Sequence, residues 1–177
     1  MKWAVLGMVV LAGCSETLPY PAPPPEVAPS KTIIVSSKGI IASGNGTANG
    51  SIISFGRTQA SAIESTSKLI GVFADDVFIN DECGEGPTDL ASWDAGIRLL
   101  FQQGNFRGWV ATSPNFKTSG GIAPGLTAEH LTNAGISLKT TTIGREFEAG
   151  GVFGLIEDAG PDAKVTTTWA GNSCFFR

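Results

Sequence analysis

Ala95-Gly96-Ile97-Arg98-Leu99-Leu100-Phe101, then Gln102-Gln103-Gly104-Asn105, then Phe106-Arg107-Gly108-Trp109-Val110 is the stretch that decides the fold. Two runs rich in aliphatic and aromatic residues flank a Gly/Asn turn, which predicts a β-hairpin. Upstream, Thr58 is placed to cap a helix over residues 59–70. Ala62, Ile63, Thr66, Leu69 and Ile70 fall on one helical face, and Gly71 is a natural terminator.

The same order recurs downstream. Thr127 precedes a shorter helix over residues 128–134, with Ala128, Leu131 and Ala134 on one face and Gly135 at its end. Ile136 to Thr142 reads as a strand. Val152 to Glu157 and Val165 to Trp169 flank the turn Asp158-Ala159-Gly160-Pro161-Asp162, which predicts a second hairpin. Both return strands reach a tryptophan, Trp109 and Trp169, so equivalent packing positions are expected. A helix plus a hairpin cannot bury its apolar face alone, and two such units can share one core.

The remaining segments are simpler. Thr32 to Val35 and Gly39 to Ala42 predict an N-terminal hairpin, Ser43 to Ser51 a Gly/Asn/Ser loop, and Ile52 to Phe55 a strand. The Gly-rich loop lacks phosphate-loop or dinucleotide spacing. Residues 111–126 read as a turn-rich connection. Gly71 to Ser92 reads as an acidic loop. The predicted class is α+β: an antiparallel sheet with two short helices, organised as two tandem helix-plus-hairpin units.

The N-terminus carries an address. Met1-Lys2 is followed by an apolar run from Trp3 to Leu11 and then by small residues, the layout of a secretory signal peptide. The run is shorter than the about 20 apolar residues that a transmembrane helix needs. Leu11-Ala12-Gly13-Cys14 resembles a bacterial lipobox. The resemblance implies cleavage before Cys14 and acylation of its thiol and amine, which would hold the chain in a bilayer. It also implies, through Ser15, an outer-membrane rather than inner-membrane anchor facing the periplasm. Leu18 to Ser30 holds six prolines and reads as an extended tether. The expected organisation is a signal peptide over 1–13, an anchor and tether over 14–30, and one globular domain over 31–177.

With a signal in place, Cys83 and Cys174 are an even pair in an exported chain, which predicts a disulfide. A metal pair or a catalytic thiol is the rival reading. Neither cysteine has another Cys or His at ligand spacing, and His130 is the only histidine. From Cys14 onward, eleven Lys and Arg face sixteen Asp and Glu. That balance and the lack of a basic stripe argue against nucleic-acid binding.

The domain also resembles the β-lactamase-inhibitor-like fold and the related small outer-membrane assembly lipoproteins. The resemblance covers roughly residues 52–170 and rests on element order, lipidation and size. It implies a fold and supplies no functional residue.

No catalytic motif is present. His130 sits beside Glu129 near the start of the second helix, belongs to no nucleophile motif, and reads as an exposed helix residue. Asp75, Asp76, Asp81, Glu82 and Glu85 form the one weak metal candidate, a set of hard oxygen ligands without EF-hand spacing. No cofactor is expected. The resulting expectation is a non-catalytic binding or structural module with an envelope protein as partner. Trp93, Arg107 and Trp109 are its candidate contact surface, because aromatics and Arg dominate interface energies. The alternative is a small periplasmic hydrolase or cation-binding protein using acids of the 75–94 loop.

Overall fold

The computed structural model describes residues 32–42, 50–156 and 159–174. The signal run, Cys14, the proline tract, most of the Gly/Asn/Ser loop and the last three residues lie outside the described residues. The chain runs through β1 (Ile33–Ser36), β2 (Gly39–Ala42), β3 (Ser51–Ser54), α1 (Gln59–Ile70), β4 (Asp76–Asn80), β5 (Thr88–Trp93), β6 (Ile97–Gln102) and β7 (Asn105–Ala111). It continues through β8 (Phe116–Lys117), α2 (Ala128–Asn133), β9 (Lys139–Thr141), β10 (Gly144–Ala149), β11 (Val152–Ile156) and β12 (Val165–Gly171). The class is α+β, dominated by antiparallel sheet. The larger sheet has eight strands in the order β4-β5-β6-β7-β12-β11-β10-β9, and a smaller one has the order β3-β2-β1-β8.

Each helix is followed by four antiparallel strands, not by a single hairpin. The acidic stretch 71–92, expected to be loop, supplies β4 and all of β5 but its last residue, and its acids lie at the start of β4, in the β4–β5 turn and, as Asp89, within β5. Ile136 to Thr142 yields only β9, and β10 had no forecast. The connection after β7 contains β8, which pairs in parallel with β1 through Ile33↔Phe116 and Ile34↔Lys117.

The two halves repeat one local pairing. Gly56 N donates to Phe106 O, Phe106 N to Arg57 O, and Gln59 N to Gly104 O. Gly125 N donates to Val165 O, Val165 N to Leu126 O, and Ala128 N to Ala163 O. Thr58 thus bridges Asn105 as Thr127 bridges Lys164. In both cases the residues entering a helix are tied to the start of the last strand of their own four-strand run. Of the two threonines, Thr127 uses its side chain as a cap, with Oγ1 accepting from His130 N at 3.1 Å.

That equivalence separates the two tryptophans. In the register between β7 and β12, Trp169 pairs with Val110 and Ala170 with Trp109. Paired residues share a face and successive residues alternate, so Trp109 and Trp169 point to opposite sides of the sheet. The expected equivalence fails by one residue. Trp109 faces the main core with Ile33, Val35, Ile40, Ile53, Ala62, Leu99 and Phe101. Its Nε1 donates to Ser36 O at 2.8 Å, which docks the small sheet onto the large one. Trp169 stacks on Phe153 with ring centroids 6.0 Å apart.

A second core lies under α2, built from Ala128, Leu131, Phe147, Ile156, Ala163 and Val165. On α1 the buried residues are small, Ala62, Thr66 and Ser67, so that helix lies close against the sheet.

Cys83 and Cys174 form a disulfide, as the sequence predicted, with Cα atoms 4.7 Å apart. It closes a loop between residues 91 apart in sequence. The chain-entropy model gives such a bridge about 4.5 kcal/mol. Replacing both cysteines by Ala is expected to lower the unfolding free energy by about that amount. Denaturant titration of the oxidised, reduced and double-Ala chains checks this, with the reduced and double-Ala chains falling together.

Candidate functional site

Burial moves two of the three forecast contact residues into the core. Trp93 is 3% exposed and Trp109 is fully buried, whereas Arg107 stands exposed. Side-chain type alone does not report the strand face. Register decides it: Trp93 pairs with Ile97 on the face that meets the small sheet and α1. Trp93 Nε1 is buried with no hydrogen-bond partner among the described residues.

Of the candidate acids, Asp75 precedes β4, Asp76 is its first residue, and Asp81, Glu82 and Glu85 lie in the β4–β5 turn. Asp75 Oδ2 accepts from Asp94 N at 2.6 Å, and Asn80 Oδ1 accepts from Glu82 N at 2.9 Å. Asp76 lies in β4 opposite Ser92. Asp81, Glu82 and Glu85 stand exposed around Cys83. Among the described residues, no three His, Cys, Asp or Glu side chains lie close enough together to share a metal ion. His130 is exposed on α2.

What the sequence reading missed lies inside the same stretch. Val72, Phe73, Val77, Phe78 and Ile79 are exposed, Phe73 at 88% and Ile79 at 62%. β4 is the end strand of the large sheet, so among the described residues one of its edges has no strand beside it. An exposed edge with apolar side chains is a template for another strand. Beside it runs an open groove of about 680 Å³ between α1 and β4. Ala60, Ile63, Ser67, Val72, Ala74 and Val77 line it. Ser67 Oγ is buried in its wall without a hydrogen-bond partner among the described residues. At the rim Lys68 pairs with Glu64, and that hydrogen bond and charge hold the Glu64 carboxyl below its ordinary value. The pair is fully solvated and adds little stability.

Register sorts the side chains of β4. Val77 pairs with Ala91 and Ile79 with Asp89, placing both on the α1 side. Phe78 pairs with Leu90 on the other face, where the Arg98 guanidinium lies 5.9 Å from its ring centroid.

The opposite end of the sheet is built differently. β9 has three residues, Lys139, Thr140 and Thr141, and no large apolar side chain. A charged, short edge resists further strand addition. The groove beside it, about 590 Å³, is lined by Lys139, Glu146 and Glu148 as well as Ile136, Phe147 and Phe153.

The apolar end is also held in place. The β4–β5 turn is bonded to Cys174. Gln102 Nε2 donates to Glu85 O at 3.1 Å, and Gln102 Oε1 accepts from Asn172 Nδ2 at 2.7 Å. A covalent and a hydrogen-bonded link therefore run from the turn to the segment after β12.

Fold and site together define a sheet-dominated α+β protein with one guarded and one open apolar edge. No protein-family model matches the chain, and no curated protein matches it. The chain is similar in structure to the uncharacterized protein yfeY from Escherichia coli, with a TM-score of 0.50 and 12% sequence identity. The similarity covers 78% of this chain and 99% of that one. At that identity the likeness shows a common fold.

The burial pattern predicts opposite outcomes for neighbours in β7. Trp109→Ala should cost about 3–5 kcal/mol, the range for emptying an aromatic core site. Arg107→Ala should stay within about 0.5 kcal/mol of the parent, as exposed substitutions do. Thermal unfolding followed by circular dichroism checks both.

Proposed function

We propose that this chain is a lipid-anchored envelope protein whose domain works as a non-catalytic binding module, and that it takes a polypeptide segment at the β4 edge and the α1–β4 groove. The observation that carries the contact surface is the run of exposed apolar residues over 72–79 on an open sheet edge. Strand addition uses main-chain hydrogen bonds for affinity and flanking apolar side chains for selectivity. The disulfide and the Gln102 bridge support the same reading, because an edge held in place loses less entropy on binding.

The address rests on the lipobox-like Leu11-Ala12-Gly13-Cys14 and the proline tract behind it. A disulfide is in keeping with an oxidising, extracytoplasmic compartment. Ser15 favours the outer membrane on the lipoprotein resemblance, with the domain facing the periplasm. The matched pairings of Thr58 and Thr127 support a reading of the domain as two tandem units. Each unit is then a helix with four strands, which bears on the resemblance to small outer-membrane assembly lipoproteins. The rival, an enzyme or cation site on the 75–94 acids, has less support. Asp75 is engaged by the Asp94 amide, and Asp81, Glu82 and Glu85 lie on an exposed turn.

Two variants test the proposal in cells. Cys14→Ser should lose fatty-acid labelling and membrane retention; unchanged retention with no label on the parent overturns the anchor. A photoreactive residue at position 73 should form protein adducts in the envelope. Ile79→Lys should reduce them at least about tenfold, the effect of losing about 1.4 kcal/mol of contact. Adducts that ignore Ile79→Lys, or none at all, overturn the contact surface.

A further inference from the structure

We infer that the segment received at the β4 edge is β4 of a second copy of this chain, so that two large sheets join edge to edge about a two-fold axis. The inference rests on the reading of 72–79 as a contact surface and names its occupant. An isologous contact needs a surface that complements itself under a two-fold rotation. Asp76-Val77-Phe78-Ile79-Asn80 has that property when read antiparallel to itself.

Consider two copies of β4 side by side with the axis normal to the sheet. Residues that pair must share a face, which restricts the register to steps of two. Centred on Phe78, the pairing sets Phe78 against Phe78, Val77 against Ile79, and Asp76 against Asn80. Every apolar residue of the strand meets an apolar one, and the strand's only charge meets a neutral amide. Shifting by two residues in one direction puts Asp76 against Phe78. Shifting the other way puts Val77 against Asp81 and Asp76 against Glu82. Only the central register sets no apolar side chain of β4 against a carboxylate, and its like-charge contact, Asp75 with Asp81, falls outside the strand.

The same register accounts for the groove. Val77 lines it on the α1 side, and Ile79 of the second copy is set beside Val77 on that face. Each copy thereby covers the open groove of the other with its most exposed strand residue, Ile79. The guarded edge at β9 keeps the joined sheet from growing further: with Lys139 and two threonines it ends the array at two copies. The acids around β4 disfavour an anionic lipid surface as the alternative occupant, since no Lys or Arg occurs between Lys68 and Arg98. Asp75 and Asp81 of opposite copies come together just beyond the paired strand, so added salt should strengthen the association.

The register supplies its own test. Directly opposed residues of an antiparallel pair have Cα atoms about 4.5–5.5 Å apart, within disulfide range. The full chain carrying Phe78→Cys, oxidised mildly in intact cells, should run as a covalent dimer on a non-reducing gel. Val77→Cys alone and Ile79→Cys alone should not, whereas the two produced together should. The parent chain, with Cys83 and Cys174 only, reports any background exchange. Adding Ile79→Lys to the Phe78→Cys chain should cut the dimer at least about tenfold. No dimer for Phe78→Cys, or equal dimer from every position, overturns the inference. If the position-73 adducts of the previous section persist but contain other proteins only, self-pairing falls and the binding surface stands. If both experiments give nothing, both readings fall.

Discussion

The pairing of β7 with β12 is the contact on which the rest of the structure depends. Ala111↔Thr168, Val110↔Trp169, Trp109↔Ala170 and Gly108↔Gly171 join two four-strand runs into one sheet. The join requires glycine at both positions of its last pair. At Gly108 a Cβ would lie 2.1 Å from the Asn172 carbonyl oxygen, because the chain crosses directly over it. Gly171 has φ +73°, and a Cβ there would lie 2.1 Å from Arg107 O. Asn172 N then donates to Arg107 O at 3.0 Å and fixes the crossing.

This crossing connects the centre of the sheet to its far edge. The chain turns over Gly108, leads to Cys174, and is bonded there to the turn that follows β4. An edge strand whose side chains are largely exposed has little core of its own to hold it. The disulfide and the Gln102 bridge supply what burial does not. The asymmetry between the ends follows. β9 is short and polar, as an edge left in water must be, whereas β4 carries Val77, Phe78 and Ile79 and is braced. β4 is thus exposed and apolar yet braced, which sets it apart from a fraying end.

The sequence showed the elements that signal locally. Thr58 to Gly71 defined α1, and Gly104-Asn105 between apolar runs defined the β6–β7 hairpin. The Thr before each helix was legible too, and Thr58 and Thr127 make matching bridges, whereas the two tryptophans are not equivalent. What it hid was face and edge. Trp93 and Trp109 look like interface residues by type, and only register places them inward. The edge strand was masked by its neighbours: seven acids between Asp75 and Asp94 suggested a loop. The signal was the triplet Val77-Phe78-Ile79, two β-branched residues around an aromatic, bounded by Asp76 and Asn80. Position at the end of the sheet is a non-local property, set by which strands pair, and no local pattern carries it.

Hydrogen exchange of the 72–80 segment tests the central claim most directly, that the apolar edge is covered where the protein works. It should be compared in concentrated and in highly diluted protein. The account predicts amides in β4 that exchange slowly at high concentration and many-fold faster on dilution, with β5 and β6 unchanged. Equally fast exchange of β4 in both settings would contradict it.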